Sequence, residues 1–357
     1  MEALDWLRLY RSENVGPAGF FRLIERFGSA GRALEALPEL ARRGGKRGIR
    51  IASRAEVERE LAALDRLGAR LLLADHPDFP LALRVLEIAP LLTLLGDASL
   101  LARPSVAIVG ARDASVAGCK MARQLAADLG RAGFCIVSGL ARGIDGAAHQ
   151  GGLASGTVAV LAGGVDIIYP SEHARLYREI VEQGAVLSEL PPGTQPQAKH
   201  FPRRNRLISG LAQGVVVVEA QLRSGSMITA RFALEQGREL FAVPGSPLEP
   251  RSAGPNSLIK QGAQLVENAA DVIDGLGPLA LPPPPPPLPN ESPPEDGPAL
   301  SAAHERVAAI LTVTAVTVDE ILRQCQLSPA TLSLVLLELE LAGRLQRHPD
   351  QAVSLKM

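Results

Sequence analysis

At 357 residues and 46% apolar content, with a formal net charge of −1, the chain is too long for one small core and too apolar for general disorder. A near-neutral balance excludes naming a partner from total charge, so only local patches carry that information. Three widely spaced cysteines (Cys119, Cys135 and Cys325) without any C-x-x-C pair exclude a disulfide framework and a zinc site, and are expected as small buried hydrophobes in a reducing cytosol.

The opening MEALDWLRLYRSE is interrupted by charge and lacks the apolar core of a signal peptide. No apolar run approaches the ~18 residues of a transmembrane helix. A soluble, cytoplasmic protein without a membrane segment is expected. LDWLRLYRSENVGPAGFFRLIERFG and AEVERELAALDRLGARLLL carry helical periodicity, giving a small helical domain over residues 1–75. A proline-containing connector then leads to LLTLLGD. From Ser105 the short apolar runs SVAIV, FCIVS, TVAVL, GVVVVE and LFAVPG alternate with helical segments, which predicts an α/β domain over residues 76–277. Its parallel sheet is expected to be doubly wound, with helices on both faces. Stacked prolines mark a linker over 278–299. Residues 300–357 read as helix, turn at Ser328-Pro329, helix and a short hairpin.

Ligands in a doubly wound sheet bind beyond the carboxyl ends of the strands, often at helix N-termini. Five such loops stand out: VGARDAS with Gly110, Arg112 and the helix cap Ser115; SGLARG with Ser138, Gly139, Arg142 and Gly143; LAGGVD; the FPRRNR cluster; and RSGSMIT with Ser224, Gly225 and Ser226. The first turn lacks G-x-G-x-x-G, and the second strand ends in Ser138-Gly139 rather than an acid, which argues against a dinucleotide. No G-x-x-x-x-G-K-[ST] is present. Asp145 and His149 share a helix face, Asp145 suiting a helix N-terminus and His149 a surface or packing role. Asp166 and Glu219 lie at strand ends, yet no catalytic set or metal-ligand spacing emerges. The chain is expected to be a non-enzyme without cofactor or metal. Arg203, Arg204 and Arg206 lie in a stretch, 190–218, that holds no acid. Positive charge at a helix start is unfavourable, so an anionic polymer is the simplest partner.

IVGARDAS, VSGLARGIDGAAHQGGL, AVLAGGVDIIYPSEHARLYREI and the long FPRRNRLISG…FAVPG segment, in that order over Asp75 to Leu276, closely resemble the DNA-processing protein A (DprA/Smf) family. The resemblance implies a Rossmann-like doubly wound, mostly parallel sheet. It also implies a small N-terminal SAM- or helix-hairpin-helix-like domain and a C-terminal winged-helix-like domain. The implied function is binding of single-stranded DNA and its transfer to the RecA recombinase during natural transformation, by a homodimer formed through the Rossmann-like domain. Implied DNA contacts are Gly110, Arg112, Ser115, Ser138, Gly139, Arg142, Gly143, Lys199, Phe201, Arg203, Arg204, Asn205, Arg206, Ser224, Gly225 and Ser226. Phosphate-holding guanidinium and N–H groups read no sequence, and Phe201 beside the cluster is placed either to stack a base or to pack in the core.

Two other readings find less support in the residues. A nucleotide phosphoribohydrolase of the lysine-decarboxylase-like family would carry P-G-G-x-G-T-x-x-E where this chain has SGSMITARFALE. A winged-helix regulator would need a basic reading helix, whereas SPATLSLVLLELELAG carries Glu338 and Glu340. Protein contact suits that helix better. In the N-terminal domain, ENVGPAG looks like a hairpin able to approach a DNA backbone, and RRGGKRGIR places five cations in an acid-free loop.

Overall fold

The computed structural model describes residues 2–277, 298–348 and 352–356. The expected proline linker therefore lies, apart from its last two residues, outside the described residues. The chain divides into two units, Met1–Arg59 with Pro285–Met357, and Glu60–Pro284.

The first unit begins with α1 (Glu2–Arg11), α2 (Pro17–Phe27) and α3 (Ala30–Arg43), with α4 (Arg54–Leu67) running out of it. Pro17 opens α2, where its missing N–H costs nothing. Gly28 closes the helix in the left-handed region at φ 73°. Trp6 and Tyr10 of α1 pack on the fully buried Phe20 of α2, at ring centroid distances of 5.0 and 5.9 Å.

The second unit is a nine-stranded sheet. Its strands are β1 (Arg70–Leu73), β2 (Leu91–Gly96), β3 (Ser105–Val109), β4 (Cys135–Ser138), β5 (Thr157–Val160), β6 (Ala185–Ser188), β7 (Gly214–Val217), β8 (Glu239–Ala242) and β9 (Gln264–Leu265). They lie in the order β1-β2-β6-β5-β4-β3-β7-β8-β9. All neighbours from β6 to β9 are parallel; β1 and β2 join antiparallel. Every residue of β3 to β7 is buried, as strands covered on both faces require. The helices are α5 (Leu81–Val85), α6 (Val116–Arg131), α7 (Ile144–Gly152), α8 (Ala174–Gln183), α9 (His200–Leu211), α10 (Gly225–Glu235), α11 (Ala253–Lys260) and α12 (Ala269–Leu276). Leu125 and Leu129 of α6, Ala148 of α7 and Val272 of α12 share one core with Val106, Ile136 and Phe241.

The first unit is completed by α13 (Pro298–Ile310), β10 (Val316–Thr317), α14 (Val318–Cys325), α15 (Pro329–Leu341), β11 (Leu345–Arg347) and β12 (Ala352–Leu355). This is a winged-helix order with a three-stranded sheet.

The helical boundary expected at residue 75 is corrected. Gly68, at φ 66°, turns the chain after α4, and RLLL pairs with β2 instead of extending the helix. A short apolar run fits either element by periodicity alone. AVLS, which forms β6, escaped the strand reading for the same reason.

The loop between β4 and α7 is held in an uncommon conformation by two histidines. Leu140, fully buried, has φ 54°, a value non-glycine residues rarely adopt. Its N–H donates to His149 Nε2 at 3.3 Å, and its carbonyl oxygen meets His173 Nδ1 at 3.0 Å. Thr157 Oγ1 donates to the Ile136 carbonyl at 2.8 Å and so accepts from His149 Nδ1–H at 2.7 Å. This leaves Nε2 of His149 as the acceptor of a neutral ring. Burial, with the charges of His173 and Arg204 adding to it, pushes His149 from 6.5 to about 3. Asp145 and His149, read as a helix-terminal charge and a surface or packing residue, are both interior.

Between those two pH values the unfolded chain binds the proton that the folded chain refuses, so stability falls as pH drops below 6.5. Each unit contributes about 1.4 kcal/mol. His149→Gln should flatten the stability profile between pH 6.5 and 4 by about 3 kcal/mol. Asp145, whose carboxyl burial raises, acts with opposite sign but is common to both proteins and cancels in the difference. Urea midpoints at successive pH values measure it, and parallel profiles would refute the assignment.

Candidate nucleic-acid interface

The strand order reverses between β3 and β7, where successive strands lead to opposite sides and their loops part. Such a switch point leaves a crevice beyond the strand ends. Here it is a cleft of about 560 Å³, lined by Gly110, Arg112, Asp145, Phe201, Arg204, Asn205, Ser224, Gly225, Ser226 and Arg251 among others.

Its walls are tied by short hydrogen bonds. Ser115 caps α6 by accepting from Gly118 N at 2.9 Å and donates to Glu219 Oε1 at 2.6 Å. The other Glu219 oxygen accepts from Ser115 N at 2.9 Å. Glu219 thus clips the β7 loop to the β3 loop. Ser226 Oγ donates to the Gly110 carbonyl at 2.7 Å, and Asn205 Nδ2 to the Gly225 carbonyl at 3.1 Å. Ser224 starts α10 without a side-chain cap bond, and its buried Oγ has no partner among the described residues. The first turn of α10 therefore faces the cleft with uncapped N–H groups.

The three arginines of FPRRNR have separate fates. Arg204 is 6% exposed, donates to the Val160 carbonyl at 2.8 Å and neighbours Asp145. Burial lowers it to about 10, opposed by Asp145 and reinforced by Arg112, so it stays charged at neutral pH. Burial raises the carboxyl of Asp145, offset by Arg204 and by N–H donors including Gly139 N at 3.2 Å. Arg206 pairs with both oxygens of Glu189 and donates to the Ile88 carbonyl. Arg203 is exposed. No acid lies within 190–218, but the fold brings one in from outside: Glu189 pairs with Arg206, while Asp145 acts on Arg204 only as a nearby charge that opposes the effect of burial.

The outward cations are Arg203, Lys199, Arg142 and Arg112. Arg112 Cζ lies 4.8 Å from the centroid of the Phe201 ring, which also packs beside Tyr169 at 5.8 Å. Arg142 approaches Glu172 only at 3.8 Å with both side chains solvated, a contact of small worth. Lys199 sits at the N-cap of α9, whose first turn holds no acid.

Other expected site residues lie beneath the surface. Ser138 is fully buried and donates to the Ile108 carbonyl at 2.6 Å. Gly139 lies against Arg204, with no room for a Cβ, and Gly143, at φ 73°, packs on the Ala111 carbonyl. These three shape the floor without facing the cleft. Arg251 was missed by sequence reasoning: it donates to the Asp113 carbonyl at 2.7 Å and pairs with Glu249 at 3.2 Å, on the cleft wall. Its place in EPRSAGPN, well beyond the β8 strand end, carried no signal. Among the described residues no cluster of three or more His, Cys, Asp or Glu is placed to hold a metal, and no helix is long and apolar enough to cross a membrane.

The family model described as DNA recombination-mediator protein A matches residues 70–277. Those for a DprA-like N-terminal HHH domain and a DprA winged helix domain match 1–63 and 282–351. The DNA processing protein DprA of Bacillus subtilis (strain 168) is 43% identical over 225 residues, covering 62% of this chain and 76% of that one. The X-ray structure of DprA from Streptococcus pneumoniae superposes with a TM-score of 0.64 at 35% identity, over 76% of this chain and 96% of that one. The Helicobacter pylori DNA processing protein A, whose structure concerns its single-stranded DNA binding mode, gives a TM-score of 0.53 at 33% identity, over 58% and 95%. The chain belongs to the DprA/Smf family.

Proposed function

We propose that the protein binds single-stranded DNA without sequence preference in the cleft at the β3/β7 switch point. The observation that carries this reading is the Arg112 guanidinium on the Phe201 ring at the mouth of an amide-lined crevice. A cation and an aromatic face at one place suit a phosphate and its adjacent base together. Base faces are free in single strands and stacked away in duplexes, so the single strand is favoured. The H. pylori relative, described for binding single-stranded DNA, supports the same ligand. Phosphates would contact Arg112, Arg203, Lys199, Arg142 and the α10 N-terminus, with Arg204, Asn205, Gly139 and Ser138 holding the floor.

The family likeness supports two further steps: transfer of the bound strand to the RecA recombinase in transformation and recombination, and action as a cytoplasmic homodimer through the Rossmann-like unit. The exposed edge strand β9, with Leu265 outward, supports a subunit contact there. The reading assigns the protein binding and transfer, and no catalytic step.

Fluorescence anisotropy with single- and double-stranded oligonucleotides of equal length tests the ligand. Arg112→Ala should weaken single-strand binding about ten-fold at low salt and reduce the log–log salt slope by about 0.7. Unchanged affinity, or a wild-type affinity insensitive to salt, would sink the reading.

Arg206→Ala should behave differently. It strands the buried Glu189 carboxylate and should cost about 3 kcal/mol of stability, seen as a lower urea midpoint, while the folded fraction binds DNA as wild type does. Loss of affinity without loss of stability would return Arg206 to the DNA-contacting set. For the transfer step, the rate of RecA filament formation on the oligonucleotide should rise when the protein is present; an unchanged rate removes that step and leaves binding intact.

A further inference from the structure

A winged helix that reads DNA turns outward a polar, basic face of the second helix of its helix-turn-helix. Here that helix, α15, has no such face: from Leu332 to Leu341 every residue except Ser333 and Glu340 is buried. One side packs on α13; another packs on α3 and α2. The latter contact falls on the glycine turns of the N-terminal helical domain. Asn14 Nδ2 donates to the Leu341 carbonyl at 3.0 Å, and Arg344 Nη1 donates to the Gly44 carbonyl at 3.3 Å. A Cβ built on Gly44 would overlap the Glu338 carbonyl oxygen, and one on Gly19 would touch Leu337 at 3.5 Å. The fully buried Glu338 carboxylate is met by His304 of α13 and lies 3.9 Å from Arg43 of α3.

Two observations set this face apart from DNA. Gly16 starts α2 with no side-chain cap, the place where a hairpin would present N–H groups to a phosphate. A Cβ there would lie 3.7 Å from Glu340 Oε1, so a carboxylate of α15 already stands beside that turn. The cations of RRGGKRGIR, expected to lack acids, are largely neutralised: Arg42 and Arg43 pair with Glu39, Lys46 with Glu13 and Arg50 with Glu56.

We infer that the hairpin face of the N-terminal helical domain is a receptor for an apolar helix, that its occupant is α15 of the same chain, and that the pair forms a clasp outside nucleic-acid contact. Gly44→Ala is the wedge that tests it. Gly44 has φ −68°, a helical value that any residue adopts, so the new methyl acts through Glu338 and leaves the helices unstrained. In the intact 357-residue chain, amides of residues 15–20 and 334–341 should exchange hydrogen about ten-fold faster in the variant. Asn14→Ala, which removes one hydrogen bond, should move both segments the same way by less. Equal exchange in the wild type and both variants overturns the docking. Wild-type protection that falls on dilution overturns the same-chain occupant in favour of a second copy. Affinities of Gly44→Ala for single- and double-stranded oligonucleotides should stay within about two-fold of wild type, and a change beyond about five-fold in either direction overturns the clasp's separation from DNA. The exchange measurements contain no DNA, so they stand or fall apart from the single-strand reading.

Discussion

A buried guanidinium is the constraint on which the cleft depends. Arg204 leaves α9, donates to the last carbonyl of β5, fills the space beside Gly139 at the end of β4 and faces Asp145 at the start of α7. One planar cation therefore registers three strand-end elements against each other. Neither partner is comfortable alone, since burial lowers Arg204 to about 10 and raises Asp145. Such a pair contributes little net stability over an apolar alternative, but removing one member leaves an uncompensated buried charge. Its value here is positional. Phe201 lies on the same helix one turn earlier, so the floor that locks Arg204 also fixes the ring on which Arg112 rests.

Helical geometry explains how one basic tetrapeptide does three jobs. Neighbouring residues in a helix point about 100° apart. Arg203 is therefore exposed, Arg204 points into the floor, and Arg206 turns toward Glu189 on a different wall. Only part of the charge counted in the sequence reaches solvent as field. The outward cations are supplemented by Arg251, which no strand-end pattern marked, and by the uncapped first turn of α10. The resulting potential is built from separate chain segments converging on the switch point. A phosphate backbone is a linear array of charge, and a row of separated cations with intervening N–H donors suits it better than a compact pocket would.

The sheet was legible wherever a strand was bounded by glycine and followed by a helix, as at SVAIVG, CIVSG and VVVVE. It was illegible at RLLL and AVLS, where four apolar residues fit a helix end as well as a strand, and only pairing with a neighbour decides. The site loops were legible from their Gly, Ser and Arg content. Their orientation was not. Ser138 and Gly143 look like ligand-facing residues in sequence, yet they spend their donors and backbone freedom on holding adjacent loops. The partners of FPRRNR stayed out of sight in the sequence for a related reason. Glu189 borders the acid-free window at one end and Asp145 lies far away in sequence, so only the fold brings either charge near the cluster.

The same distinction between composition and cover governs α15. A 13-residue helix with leucine and valine on every side is too apolar for one small domain to bury by itself, since its own core reaches only one side. Glu338 and Glu340 argue against DNA reading from composition alone, and the fold adds that Glu338 is interior, facing His304 and Arg43. A helix of this kind demands a second covering surface as a matter of burial, whatever the protein's function. The glycine turns of α2 and α3 meet that demand because they lack side chains where α15 must lie closest. The features that mark a hairpin as able to approach a DNA backbone, small residues and accessible N–H groups, are the same ones that let a helix settle on it. A glycine hairpin in sequence therefore specifies close approach, and the fold decides what approaches.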